Sequence, residues 1–155
     1  MALGYFVLYL AIRGHKLKLN LIRDDQDTFS GYLNVNVVRE GLDLNKHVDD
    51  GECEEIRAHL IVNLLPGPQV EPFLNHLTGK LAHKGVLTLS VPEIAVIAYH
   101  YTYGNINLVK FNELTYPSQC FFDSGGLVDF FESRGFKVLN KRIHDFMFYL
   151  TVERP

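Results

Sequence analysis

The stretch that most constrains the fold is residues 54–67, EEIRAHLIVNLLPG, in which a continuous apolar run stops at Pro66-Gly67. An apolar run bounded by turn residues fits a strand buried on both faces of a parallel sheet. Helical spacing follows at once. In residues 69–82, Val70, Phe73, Leu74, Leu77 and Leu81 fall on one helical face, and Lys84-Gly85 reads as the signal that closes the helix. Strands alternating with helices are therefore the theme.

The other segments extend that theme. Residues 16–21, KLKLNL, alternate polar and apolar as a strand with one buried face would. The polar, acidic IRDDQDTFSG is a loop. Residues 31–38, GYLNVNVV, read as a second strand, and a short strand is expected around residues 42–44. VLTLSVP, residues 86–92, is a clear strand. EIAVIAYHYTYGN gives either a helix or a loop over the sheet, and no strong period follows up to Cys120. Asp123 or Ser124 caps a helix running through Leu127, Phe130 and Phe131 to Arg134, with Gly135 beyond its end. FKVLNKRI and DFMFYLTVER then form an antiparallel pair. At the start, MALGYFVLYLAIRGHK lacks the flanks of a signal peptide and is shorter than the roughly 20 residues that span a bilayer, so it reads as a buried strand or helix.

Composition narrows the class. The 155 residues, 47 % of them hydrophobic, suffice for one core, so residues 1–155 are expected to form a single domain without a membrane span. A net charge of −3 gives no global attraction to a phosphate backbone, which argues against a dedicated nucleic-acid binder. Cys53 and Cys120 are far apart and form no ligand cluster, as reduced thiols in a cytoplasmic protein would. No two of the seven histidines stand at i, i+2 or i, i+4, so no metal site is expected. Neither a Gly-x-Ser-x-Gly elbow nor a phosphate-binding P-loop occurs.

The element order, with the pieces Leu19-Asn20-Leu21, Gly31-Tyr32-Leu33-Asn34-Val35, Asp43-Leu44, Glu55-Ile56-Arg57-Ala58-His59, Lys84-Gly85-Val86-Leu87, Val91-Pro92 and Gly135-Phe136, resembles the small class I S-adenosylmethionine-dependent methyltransferases. The resemblance spans nearly the whole chain and rests on the order of the pieces, none of which is diagnostic alone. It implies an α/β, Rossmann-like methyltransferase fold, here truncated, with a mostly parallel sheet closed by a C-terminal antiparallel hairpin. It also implies S-adenosylmethionine as cofactor, bound around Asn20, Ile22, Asp24, Asn36, Asp43 and His59.

Departures from the family's pattern fall at the cofactor. Ile22-Arg23-Asp24 stands where the family has Gly-Cys-Gly, whose glycines let the backbone approach the ligand without a Cβ. Asn36 replaces the acid that accepts hydrogen bonds from both ribose hydroxyls, and Val62-Asn63 replaces a Glu-His pair. Asp43 keeps the carboxylate that the resemblance assigns to the adenine amino group. Asp24 and Asp25 either face the cofactor's ammonium or form a solvated loop. Tyr99, His100, Tyr101 and Tyr103 follow Val91-Pro92 and are the expected acceptor site, with His100 as a general base. Two functions follow from the resemblance. One is a methyltransferase acting on a small-molecule or protein acceptor with a weakened or lost cofactor site. The other is a non-catalytic binding module, with a homodimer as a further expectation.

Overall fold

The structure is a computed structural model that describes residues 16–155. The expected strand or helix in residues 1–15 lies outside them. The described strands are β1 (Leu17–Ile22), β2 (Leu33–Asn36), β3 (Cys53–His59), β4 (Leu81–Pro92), β5 (Lys137–His144) and β6 (Met147–Glu153). The helices are a short α1 (Val37–Glu40), then α2 (Gly67–Gly79), α3 (Ile94–Thr102), α4 (Leu108–Thr115) and α5 (Ser124–Glu132). One sheet has the order β2-β1-β3-β4-β6-β5. Its first four strands run parallel, and β6 runs antiparallel to both β4 and β5. The expected parallel sheet with a C-terminal antiparallel hairpin is present.

Cross-strand register divides the sheet into a dry face and a polar one. Leu33, Leu19, Ile56, Leu87, Val152 and Val138 lie side by side, one from each strand. The neighbouring row is Asn34, Asn20, Arg57, Thr88, Thr151 and Asn140. Successive side chains of a strand point to opposite faces, so these rows belong to opposite faces. On the apolar face, Phe73, Leu74 and Leu77 of α2 and Leu127, Val128 and Phe131 of α5 complete the core. On the polar face, β1 passes to β2 through residues 23–32, which hold a loop and a 3-10 turn but no α-helix.

This register corrects the expectation of a doubly buried strand in residues 54–67. The strand ends at His59; Leu60 then adopts φ +53°, and the apolar run leaves the sheet through a 3-10 turn over Val62–Leu64. Ile61, Val62 and Leu65 are buried in that turn, a packing that the length of an apolar run does not distinguish from a strand. Residues 42–44 are likewise no strand. Asp43 caps a 3-10 turn, and the backbone N–H of Leu44 donates to His76 Nε2. Asp123, not Ser124, caps α5, its Oδ1 accepting from the Gly126 N–H at 2.7 Å. The segment after Val91-Pro92 is helical, and α4 has no buried residue, which is why its sequence shows no apolar period.

Helix α2 ends at Gly79, short of the expected boundary, and Lys80 turns the chain into β4. The Lys80 side chain is only 1 % exposed, and its ammonium donates to Asn45 and, at 2.7 Å, to Asp50, tying the 43–50 loop to the helix end. Lys84-Gly85 does not terminate α2 but forms an irregularity inside β4, with Lys84 at φ +62°. A Cβ on Gly85 would lie 2.8 Å from the carbonyl oxygens of both Cys53 and Ala82, so only glycine lets β3 and β4 approach there. Gly85→Ala is expected to cost about 1–3 kcal/mol of stability, read from the urea midpoint; an unchanged midpoint would show that the two strands can part locally.

Candidate functional site at the C-terminal edge of the parallel strands

In open α/β sheets, ligands gather beyond the carboxyl ends of the strands. Here that edge is formed by Ile22, Asn36, His59 and Pro92, the last residues of β1 to β4. The loop after β1 is held down by its own amides. Asn20 Nδ2 donates to the Asp27 carbonyl at 3.1 Å and to Asn34 Oδ1 at 2.9 Å, and Asn34 Nδ2 donates to the carbonyls of Phe29 and Tyr32. Asp24 caps the 3-10 turn over Asp25–Asp27, its carboxylate accepting from the Gln26 N–H. Asp24 and Asp25 therefore both have local partners, since Asp25 pairs with Arg39 at 2.7 Å.

Asn36 is occupied on both ends of its amide. Its Oδ1 accepts from the N–H groups of Val38 and Arg39, as an N-cap of α1 does, and its Nδ2 donates to Asp25 Oδ1 at 3.0 Å. That donated bond, reinforced by the Arg39 guanidinium, holds the Asp25 carboxyl below the usual carboxylate range. Asp43 is exposed, and one of its oxygens accepts from the Asn45 N–H.

Two clefts flank Arg23. The first, of about 320 Å³, lies between the ends of β1 and β3 and the 26–29 loop, and is lined by Asn20, Ile22, Phe29, Arg57 and His59 among others. Three expected cofactor residues, Asn20, Ile22 and His59, thus share one cleft; Asp24, Asn36 and Asp43 do not line it. His59 Nδ1 is hydrogen-bonded to Ser90 Oγ, and loss of solvent around the ring, with Arg23 and Arg57 near, lowers its pKa. The second cleft, of about 530 Å³, is bordered by Arg23, Asn63, Glu113, Tyr116, Ser118 and Asp145. There Asn63, 1 % exposed, donates from Nδ2 to Ser118 Oγ at 2.9 Å, and its backbone carbonyl accepts from Gln119 and Cys120, so the 116–120 segment is pinned to the end of β3.

Of the expected acceptor residues, Tyr99, His100 and Tyr103 meet at the exposed side of α3, while Tyr101 stacks instead on Phe111. Tyr99 and Tyr103 stack with centroids 4.6 Å apart, and His100 meets the edge of Phe146 at 5.2 Å. His100 Nδ1 lies 3.3 Å from the Asn105 amide. Tyr99, Tyr101 and Tyr103 are 58 %, 43 % and 69 % exposed and line neither cleft. What lines the second cleft from this half of the chain is instead Glu113 to Ser118 and the hairpin turn. The sequence carries a signal for Arg57, the alternation Glu55, Arg57, His59 along β3, but none that pairs Asn63 with Ser118.

Among the described residues no group of three or more His, Cys, Asp or Glu side chains is placed to hold a metal ion, and no helix is long and apolar enough to cross a membrane. Both cysteines are free; burial pushes the Cys53 thiol up to about 12.

No protein-family model and no curated protein sequence matches this chain. Solved structures do. A SAM-dependent methyltransferase from Archaeoglobus fulgidus superposes with a TM-score of 0.58 at 9 % identity, covering 98 % of this chain and 82 % of that one. Magnesium protoporphyrin IX methyltransferase from Synechocystis PCC 6803, with bound SAH, gives 0.57 at 11 % identity, with 99 % and 82 % covered. An S-adenosylmethionine-dependent methyltransferase from Mesorhizobium loti gives 0.56 at 13 % identity, with 98 % and 87 % covered. Sheet order, hairpin and these superpositions agree that the chain has the fold of the class I S-adenosylmethionine-dependent methyltransferases.

Proposed function

We propose that the chain is a methyltransferase-fold binding protein in which the S-adenosylmethionine site is weakened or lost. The observation that carries this reading is the amide of Asn36. A ribose needs a free acceptor at the end of β2, and the one oxygen of Asn36 already caps α1 while its nitrogen holds Asp25. Ile22 at the end of β1 and Asp24 beyond it, where the family has glycines, support the same reading, because a side chain stands where a ligand would approach the backbone. The free cysteines favour a reducing, cytoplasmic setting.

A methyltransferase of low activity is the second reading, and the cleft of about 530 Å³ beside Arg23 favours it. In that reading an acceptor, a small molecule or a protein, reaches the cleft past the Tyr99 to Tyr103 surface, His100 serves as base, Asp43 meets the adenine, and a homodimer can complete the acceptor platform. Catalysis would rest on positioning the acceptor in line with the sulfonium methyl.

Isothermal titration separates the two. Neither S-adenosylmethionine nor S-adenosylhomocysteine is expected to give binding heat at millimolar ligand. A micromolar Kd would overturn the proposal in favour of the enzyme, and Asp43→Ala should then weaken binding about tenfold. A second measurement addresses the β2 acid. Asn36→Asp places a carboxylate against Asp25, and like charges raise each other's pKa above the unfolded values. The variant is therefore expected to melt at a lower temperature than wild type at pH 7, a difference that shrinks as pH falls and the carboxyls protonate. A pH-independent difference between thermal melts of variant and wild type would show that repulsion is not its cause.

A further inference from the structure

The polar face of the sheet holds an arginine with no acidic partner. Arg57 sits near the middle of β3, in the row between Asn20 and Thr88, with its guanidinium 4.0 Å above the centroid of the Phe29 ring and 5.9 Å from that of Tyr32. Among the described residues its guanidinium makes no ion pair, and its one side-chain hydrogen-bonding neighbour, the Tyr32 hydroxyl, leaves most of its five N–H donors without an acceptor. Glu55, two residues earlier on the same face, is already taken by the Tyr32 hydroxyl, which donates to it at 2.5 Å, and by Lys18 at 3.2 Å. His59, two residues later, spends Nδ1 on Ser90 and keeps Nε2.

These groups surround the cleft of about 320 Å³ under the 26–29 loop. Its walls combine apolar surface from Phe29 and Ile22 with the donors of Arg57, His59 and Thr28. Asp27 supplies the one carboxylate of the lining, which also holds Arg57. The stack on Phe29 fixes the guanidinium plane before any ligand arrives, which reduces the ordering that binding would otherwise require. A planar fork of donors so held matches the two oxygens of a carboxylate or phosphate.

We propose that this cleft binds a small organic anion, a carboxylate or a phosphate monoester, whose oxygens take the N–H groups of Arg57 and Nε2 of His59 while its apolar body lies along Phe29 and Ile22. The inference rests on the binding-protein reading above and names the ligand class for that chain.

Benzoate, phenyl phosphate and inorganic phosphate, each titrated into the full chain by isothermal calorimetry with amide chemical shifts followed in parallel, test it. At least one of the two organic anions is expected to bind at submillimolar concentration, about tenfold more tightly than inorganic phosphate because of its ring, and to shift the amides of residues 26–29, 57 and 59. Arg57→Met should reduce that affinity about tenfold or more with an unchanged circular-dichroism spectrum. Phe29→Ala, which alters an exposed side chain, should weaken binding and keep the fold. Absence of binding by both organic anions, an affinity unmoved by Arg57→Met in the folded variant, or inorganic phosphate binding as tightly as the organic anions would each overturn the proposal. The S-adenosylmethionine titration decides the binding-protein reading separately, so its failure is distinguishable from failure of this one.

Discussion

Everything in this molecule is arranged around a sheet with one dry face. The row from Leu33 to Val138 crosses every strand, and the helices that complete the core, α2 and α5, close on that side. Parallel strands are ordinarily buried on both faces. Here the opposite row carries Arg57 and asparagines, and covering it with an apolar helix would strand a charge and several amides away from water. A polar floor and a β1–β2 connection without a helix are thus two expressions of one constraint.

That constraint fixes the scaffold without calling on the residues at the strand ends. The residues that fix the scaffold are the apolar rows, Gly85 where β3 and β4 approach, and the Lys80 tether of the 43–50 loop. Of these, only Leu21 lines the first cleft. The edge residues have been drawn into local structure instead. Asn20 and Asn34 fasten the loop, Asn36 caps α1, and Asp25 is paired with Arg39. Fold and site are separable properties, and a likeness of scaffold carries no chemistry by itself.

Much of the fold was legible in the chain because its signals are local. KLKLNL states a strand with one buried face; β1 shows that alternation at Leu17 to Leu19, while from there to Ile22 both faces are buried. The alternation Phe148, Leu150, Val152 states the same for β6, whose partners Met147, Tyr149 and Thr151 face the other way. Asp123 and Gly135 bracket α5. The apolar run after His59 misled for a physical reason. Burial requires apolar residues in a packed turn as much as in a strand, and only the left-handed Leu60 and the 3-10 turn beyond it tell them apart. Helix α4 was hard to read because it buries no residue fully, Phe111, Leu114 and Thr115 being only half-buried.

The site was much less legible, since its meaning lies in contacts between residues far apart in the chain. The contact of Asn36 Nδ2 with Asp25, eleven residues away, has no signal in the sequence. Asn63 and Ser118 meet across |i−j| of 55, and Arg57 finds Phe29 only because β3 lies beside β1. The sequence by itself determined most of the strands, the C-terminal hairpin and the caps of α5, because these follow from periodicity and from bonds within a turn. Only the tertiary structure decided which polar groups remain unpaired, because pairing depends on the register between strands, and a shift of one residue would exchange the two faces.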